Sequence, residues 1–214
     1  MRLDLSKRYA LISVYYKNTP DFDRMVWAIH KAGFLIISTG GTAGHIKKLG
    51  IPVIDVSELT QFPEMMDGRV KTLHPMVFGG ILGRGNNEND VSKMVEYFIP
   101  FIDIVVVNLY PFQEEVAKGD GTTHENIIEK IDVGGPSMLR AGAKNHVRVS
   151  VICDPGDYGP LADMLENGKE ITLLQRKKWW AKVFKVMVEY ETSILDYANK
   201  HIEHEELAMK ADRV

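Results

Sequence analysis

The sequence is poor in three things, and each shortage narrows what the chain can be. It has one cysteine, Cys153, in 214 residues, so no internal disulfide framework exists and a reducing compartment suits it. It has no excess of positive charge: 26 Lys and Arg stand against 29 Asp and Glu, for a net charge of -3. Broad, sequence-independent binding to nucleic acid needs a strong Lys/Arg surplus and is therefore not expected, although a local basic pocket for a small phosphorylated molecule remains open. It also lacks long apolar runs. The opening MRLDLSKRYALISV is too short and too interrupted for a secretory signal, and nothing approaches transmembrane length, so a cytoplasmic location with no membrane partner is the expectation. No internal repeat, low-complexity stretch or linker is present.

What is there reads as alternating strands and helices. Tyr9 to Val14 is a short apolar run with β-branched members, read as a buried strand. Pro20 opens an amphipathic helix with Phe22, Met25, Val26 and Ile29 at helical spacing, and Gly33 ends it. Phe34 to Ile37 is a second strand, Ala43 to Leu49 a short helix closed by Gly50, and Val53 to Val56 a third strand. This βαβ rhythm predicts an α/β fold with a mainly parallel sheet flanked by helices. Ser57 to Arg84 has weak periodicity and reads as a long loop, a length that is usually functional. A helix around Asp90 to Phe98 leads to Ile102–Val107, the clearest buried strand. Thr122 with Glu125 resembles a capping box for a helix reaching Ile131. Pro136 can start another helix, before a strand over Val147 to Ile152. Thr172 with Gln175 suggests the start of a long helical tail through about Ile202. Gly85 to Asn87 is a flexible surface loop. The whole reads as one domain over 1–214: a core of about 8–154, a helical part over about 155–203 and a charged tail over 204–214.

Several residues fit chemistry. Ser38-Thr39-Gly40-Gly41-Thr42 lies between a strand and a helix, where unpaired N–H groups and the helix dipole favour an anion and two glycines allow close approach. It is either a phosphate cradle or a tight turn with a Thr cap; it is neither a Walker A loop nor G-x-G-x-x-G. Lys17 follows the first strand, so it either pairs with the same phosphate or is a solvated lysine. Asp67-Gly68-Arg69-Val70-Lys71-Thr72-Leu73-His74-Pro75 concentrates groups able to do catalysis beside a glycine hinge, with extended backbone aiming Arg69 and Lys71 to one side; the alternative is an exposed polar loop. Asn108 and Tyr110 follow the strongest strand. Asp132 precedes Gly134-Gly135-Pro136. Arg140 and Lys144 close the next helix, where the dipole also favours cations. His201 and His204 have helical spacing but no third ligand, so no metal site is expected. Lys177-Lys178-Trp179-Trp180 reads as core and edge packing and Cys153 as a buried small apolar residue.

The strings LISTGGTAGHI, VSELTQFPEMMDGRVKTLHPMVFGGILGR, IDIVVVNLYPF and IEKIDVGGPSMLRAGAKNHVRVSVICDPGDY resemble, in order, the IMP cyclohydrolase domain of the bifunctional purine-biosynthesis enzyme, over about Tyr9 to Ile202. The resemblance implies a methylglyoxal-synthase-like fold and dehydrative closure of 5-formamidoimidazole-4-carboxamide ribotide to inosine monophosphate. It implies a nucleotide substrate, no cofactor and a homodimer. It puts phosphate contacts on Ser13, Lys17, Thr39, Gly40, Gly41 and Thr42, and the reacting base near Arg69, Lys71, Thr72, Asn108, Tyr110, Asp132, Gly134 and Gly135. Lys71, Tyr110, Asp132 and Lys144 match positions tied to catalysis. Lys71 is then expected beside the base, away from the phosphate turn. Two departures stand out. Tyr15-Tyr16 replaces the family's usual Ser-Asp before Lys17, and the larger transformylase domain that follows in the bifunctional enzyme is not expected in this chain. A regulatory nucleotide-binding module and a methylglyoxal-synthase-like lyase share the fold, but neither needs DGRVKTLHP and DVGGPSMLRAGAKNH.

Overall fold

The computed structural model describes residues 4–211. Residues 212–214 of the expected charged tail lie outside them. The chain divides into two compact units. One comprises the residues up to Leu109 together with Val133–Val183; the other comprises Tyr110–Asp132 with the chain from Phe184 on.

The first unit is built on five parallel strands, β1 (Arg8–Ser13), β2 (Phe34–Ser38), β3 (Val53–Asp55), β4 (Ile102–Val107) and β5 (Ser150–Ile152), in the order β3-β2-β1-β4-β5. The β1, β2 and β4 runs are buried along nearly their whole length, as strands covered on both faces must be. Ala10 and Ile12 of β1, Ile36, Ile104, Val106 and Ile152 join a core with Phe22, Met25, Val26 and Ile29 of α1 (Pro20–Lys31) and with Tyr158, Leu161 and Ala162 of α9 (Tyr158–Glu166). Trp179, near the start of α10 (Leu173–Ala211), completes that core. On β4 and β5 also pack α4 (Pro75–Leu82) and α8 (Gly134–Lys144). Their glycines permit the approach: a β-carbon on Gly80 would stand 2.6 Å from the Pro100 carbonyl oxygen, and one on Gly142 3.2 Å from Val151. Arg148 fastens this side, donating to the carbonyls of Gly80, Ile81, Gly83 and Ile102 and to Asp103.

The strand order reverses at β1, whose two neighbours β2 and β4 are entered from opposite directions along the chain. In open parallel sheets the crevice beyond the carboxyl ends at such a reversal is where ligands bind.

The sequence expectations hold for α1, β2 and β4 and need correction elsewhere. The helix after β2 begins at Gly40, not Ala43, so the Gly-Gly pair is its first turn: α2 spans Gly40–Lys48. The expected loop over Ser57 to Arg84 contains α3 (Val56–Thr60), a 3-10 turn at Met66–Gly68 and α4. Asp55 and Glu58 form a reciprocal capping box for α3, and His74 caps α4 with Pro75 at its first position. The next helix, α5, spans Glu88–Glu96 and is capped by Asn87. The strand expected from Val147 is shorter, starting at Ser150, because Arg148 and Val149 donate to the Asn145 carbonyl and close the turn after α8. Cys153 is buried, with its thiol pushed up to about 12 by desolvation. Trp179 is buried and Trp180 half-exposed, stacked on His146, as core and edge packing require.

The second unit holds α6 (Phe112–Val116), a 3-10 turn at Gly119–Gly121, α7 (His124–Ile128) and the later part of α10. The cap of α7 is Thr123, not Thr122; the Thr122 hydroxyl instead donates to Glu115 at 2.6 Å. The helix also stops at Ile128, short of the expected Ile131. Phe112 meets Tyr190 and Tyr197 edge-on, and His124 stacks on Tyr197 and His201. Among the described residues no helix is long and apolar enough to cross a membrane.

Candidate active site

Ser13, Lys17, Gly40, Gly41, Lys71 and Asn108 of the first unit gather beyond the carboxyl ends of β1, β2 and β4. Ser13 ends β1, and its hydroxyl shares a 2.8 Å hydrogen bond with that of Thr39. This contact draws the Thr39 side chain away from α2, which has no side-chain cap. Helices α1, α4 and α5 are each capped by a side chain. The first N–H groups of α2, at Gly40 and Gly41, have no partner within the helix, and the dipole adds partial positive charge. Thr42 is buried, and its hydroxyl donates to the Val14 carbonyl at 3.0 Å while accepting the Val14 N–H at 3.1 Å. Its side chain therefore ties α2 to the chain leaving β1, and only its backbone faces the turn.

Two ammonium groups flank that glycine pair. A β-carbon on Gly41 would stand 3.9 Å from Lys17 Cε and 4.0 Å from its Nζ, and one on Gly40 would stand 3.4 Å from Lys71 Nζ. The expectation that Lys71 lies away from the phosphate turn is corrected. The reason is backbone geometry. Arg69 is helical, at φ -61 and ψ -31, rather than extended, so the segment turns before Lys71. Lys71 is ion-paired with Glu64. Lys17 also donates to the Tyr15 carbonyl at 3.3 Å. The Tyr15 and Tyr16 rings are exposed and meet edge-on.

Thr72 carries the same segment to a second Gly-Gly start. A β-carbon on Gly134 would stand 2.8 Å from Thr72 Oγ1, so only glycine fits beside that hydroxyl. Helix α8, like α2, has no side-chain cap. Lys71 and Thr72, adjacent in sequence, thus meet the N-termini of two different helices.

Asn108, at the end of β4, is buried and fully engaged. Its Oδ1 accepts the Tyr158 hydroxyl at 2.8 Å and the Tyr16 N–H at 3.3 Å, and its Nδ2 donates to the Cys153 carbonyl at 3.2 Å. The Tyr158 hydroxyl also lies 3.2 Å from the Tyr16 carbonyl, and burial raises its pKa above the ordinary value. Tyr158 was not among the residues singled out from the sequence. A tyrosine in CDPGDYGP carries no local signal, and its role appears only when α9 packs under the loop after β1.

Lys144 does not join this cluster. Lys144 is exposed at the far end of α8, about 15 Å along the axis from Gly134 at 1.5 Å per residue. Arg69 is exposed. Tyr110 and Asp132 belong to the second unit, where the Asp132 N–H donates to the Tyr190 hydroxyl at 2.8 Å and that hydroxyl donates to the Lys130 carbonyl at 3.1 Å. Burial pushes the Tyr190 phenol up to about 12. Among the described residues no group of three or more His, Cys, Asp or Glu is placed to hold a metal ion. His201 stacks on His124, ring centroids 3.9 Å apart.

A parallel sheet with an anion-favouring helix start at its point of reversal defines a class, and the comparisons agree with it. Residues 23–137 match the MGS-like domain model, and the chain belongs to that family. Residues 142–213 match a second model, the AICARFT/IMPCHase bienzyme. Among individual relatives, the chain is 48% identical over 200 residues to the bifunctional purine biosynthesis protein PurH of Bacillus mycoides, covering 93% of this chain and 38% of that protein. It is 45% identical to PurH of Bacillus subtilis, covering 88% of this chain and 36% of that protein. The chain thus spans little more than a third of the curated relatives it matches. The crystal structure of ForH superposes with a TM-score of 0.78 at 33% identity, covering 88% of this chain and 95% of that one.

Proposed function

We propose that this chain is an IMP cyclohydrolase, closing 5-formamidoimidazole-4-carboxamide ribotide to inosine monophosphate. The observation that carries the reading is the uncapped Gly40–Gly41 start of α2 with Lys17 and Lys71 beside it, in a chain that matches 38% of the length of PurH. A phosphate at this start would meet backbone N–H groups, the helix dipole and the Lys17 ammonium.

In the reaction the carboxamide nitrogen bonds to the formyl carbon and gives up one proton, the formamido nitrogen gives up a second as it forms a double bond to that carbon, and the formyl oxygen departs with both as water. An amide nitrogen is a poor nucleophile because its lone pair is delocalised. Anchoring the phosphate at one end fixes the ring, and holding the two groups in an attack geometry offsets several kcal/mol of barrier. Lys71 is the proposed donor to the oxyanion that forms on the formyl oxygen. Asp132 is the proposed base for the amide proton, with Tyr110 and Lys144 assisting oxyanion formation and loss of water. These last three roles rest on the resemblance of DVGGPSMLRAGAKNH and NLYPF to the family's strings. Thr72, Gly134 and Gly135 are the proposed neighbours of the base; Asn108 supports the loop that carries Lys17. No step requires a cofactor.

The test is ring closure by this chain alone. Inosine monophosphate is expected to form without folate, nucleotide triphosphate or added metal, and activity that a chelator abolishes and metal restores would contradict the scheme. A regulatory module of the same fold would bind inosine monophosphate without forming it.

A further inference from the structure

Lys71, beside Gly40, has its side chain 17% exposed, and it is not alone there. The Glu64 carboxylate holds it. One oxygen, Oε2, pairs with the Lys71 ammonium. The other, Oε1, lies over Gly68, where an added β-carbon would stand 2.7 Å away. The loop between them is wound tightly to make this possible. Met65 and Val70 exchange both backbone hydrogen bonds, at 3.2 and 3.3 Å, while Met66 and Gly68 take left-handed backbone at φ 55 and φ 92. Left-handed backbone at a methionine costs free energy, so the surrounding contacts must hold it there. The result is a carboxylate delivered to a cation that stands beside an anion-favouring helix start.

A carboxylate is the natural competitor of a phosphate for an ammonium. If Lys71 were unpaired, a phosphate at Gly40–Gly41 would have two cations, Lys17 on one side and Lys71 on the other. Substrate and product of the ring closure carry the same phosphate. Tighter phosphate binding would stabilise both equally and leave the chemical step no faster, while slowing product release. We propose that Glu64 withholds Lys71 from the phosphate, leaving α2 and Lys17 to carry that group. This rests on the reading of the α2 start as a phosphate seat.

The experiment compares the whole chain with Glu64→Gln, Lys71→Met and the double variant, by calorimetric titration with inorganic phosphate and by ring-closure kinetics. A freed ammonium supplies a charge-assisted contact, so Glu64→Gln is expected to tighten phosphate binding roughly tenfold. The double variant is expected to return to the affinity of Lys71→Met, because the gain requires Lys71. In turnover, Glu64→Gln is expected to lower KM and kcat together, whereas a merely structural loss would raise KM. Unchanged or weaker phosphate binding by a folded Glu64→Gln, with the unsubstituted chain binding phosphate, would overturn the proposal and leave the phosphate seat standing. No phosphate binding by the unsubstituted chain would overturn both.

Discussion

Tyr158 donates its hydroxyl proton to the amide oxygen of Asn108 at 2.8 Å, across 50 residues of sequence, and the same amide oxygen receives the backbone N–H of Tyr16. The loop that carries Lys17 to Gly41 is therefore held from below by two buried side chains, one at the end of β4 and one at the start of α9. Removing the hydroxyl in Tyr158→Phe leaves the ring's packing intact. A buried neutral hydrogen bond contributes about 0.5–1.5 kcal/mol, so a stability loss of that order is expected in urea unfolding. Weaker inosine monophosphate binding, with inosine binding unchanged, is expected by calorimetry.

Lys17 and Lys71 should separate in their effects. With Glu64 holding Lys71, Lys17→Met is expected to weaken inosine monophosphate binding most. Lys71→Met is expected to lower kcat by roughly a hundred- to thousand-fold, the cost of losing one oxyanion donor, with product affinity changed far less. Methionine keeps the apolar stem of each side chain. Near-normal turnover in a folded Lys71→Met variant would move the donor role to Tyr110 or Lys144.

The approach of α4 to the chain entering β4 depends on Gly80. A methyl there would meet the Pro100 carbonyl oxygen at 2.6 Å and Ile102 Cδ1 at 2.9 Å. Alanine is the better helix former by about 1 kcal/mol, but overpacking against rigid backbone costs about 1–3 kcal/mol. Gly80→Ala is expected to lower stability in thermal unfolding, although propensity alone would raise it.

Asp90 gives the fold an acid-sensitive contact. Hydrogen bonds from the Arg84 side chain, then from the Arg84 backbone, hold its carboxyl down at about 2. A depressed folded pKa stabilises above the unfolded value near 4 and is lost as pH falls through about 2. Asp90→Asn is expected to lower Tm at pH 6, and the gap between variant and parent should close between about pH 4 and pH 2. A gap that stays constant over that range would remove Asp90 from the acid response.

The parts of this fold that sequence patterns reveal are those with one dominant local cause. Ile102–Val107 is six residues of unbroken β-branched and apolar character, so its strand has no competing reading. Pro20, the 22-25-26-29 apolar stripe and Gly33 mark α1 at both ends. The segment after β3 shows the opposite case. Helix α4, PMVFGGIL, is apolar nearly all round and contains two glycines, so it has neither amphipathic period nor propensity, and forms because it packs on β4 and α8. At the site, Gly40, Gly41 and Lys17 were legible because a strand-to-helix turn implies its own chemistry. The contact of Lys71 with Gly40 was not, since it follows from helical backbone at Arg69, in a stretch whose alternating residues read as extended.

The central claim is that Gly40–Gly41 and Lys17 seat a ribotide phosphate on a chain that then closes the purine ring. It is tested most directly by initial rates of ring closure, followed spectroscopically, on the formamido ribotide and on the corresponding riboside lacking the phosphate. Several charge-assisted contacts of roughly 1.5–3 kcal/mol each separate the two substrates. The account predicts conversion of the ribotide, with kcat/KM for the riboside lower by orders of magnitude; equal rates on both, or no conversion of the ribotide by the folded chain, would contradict it.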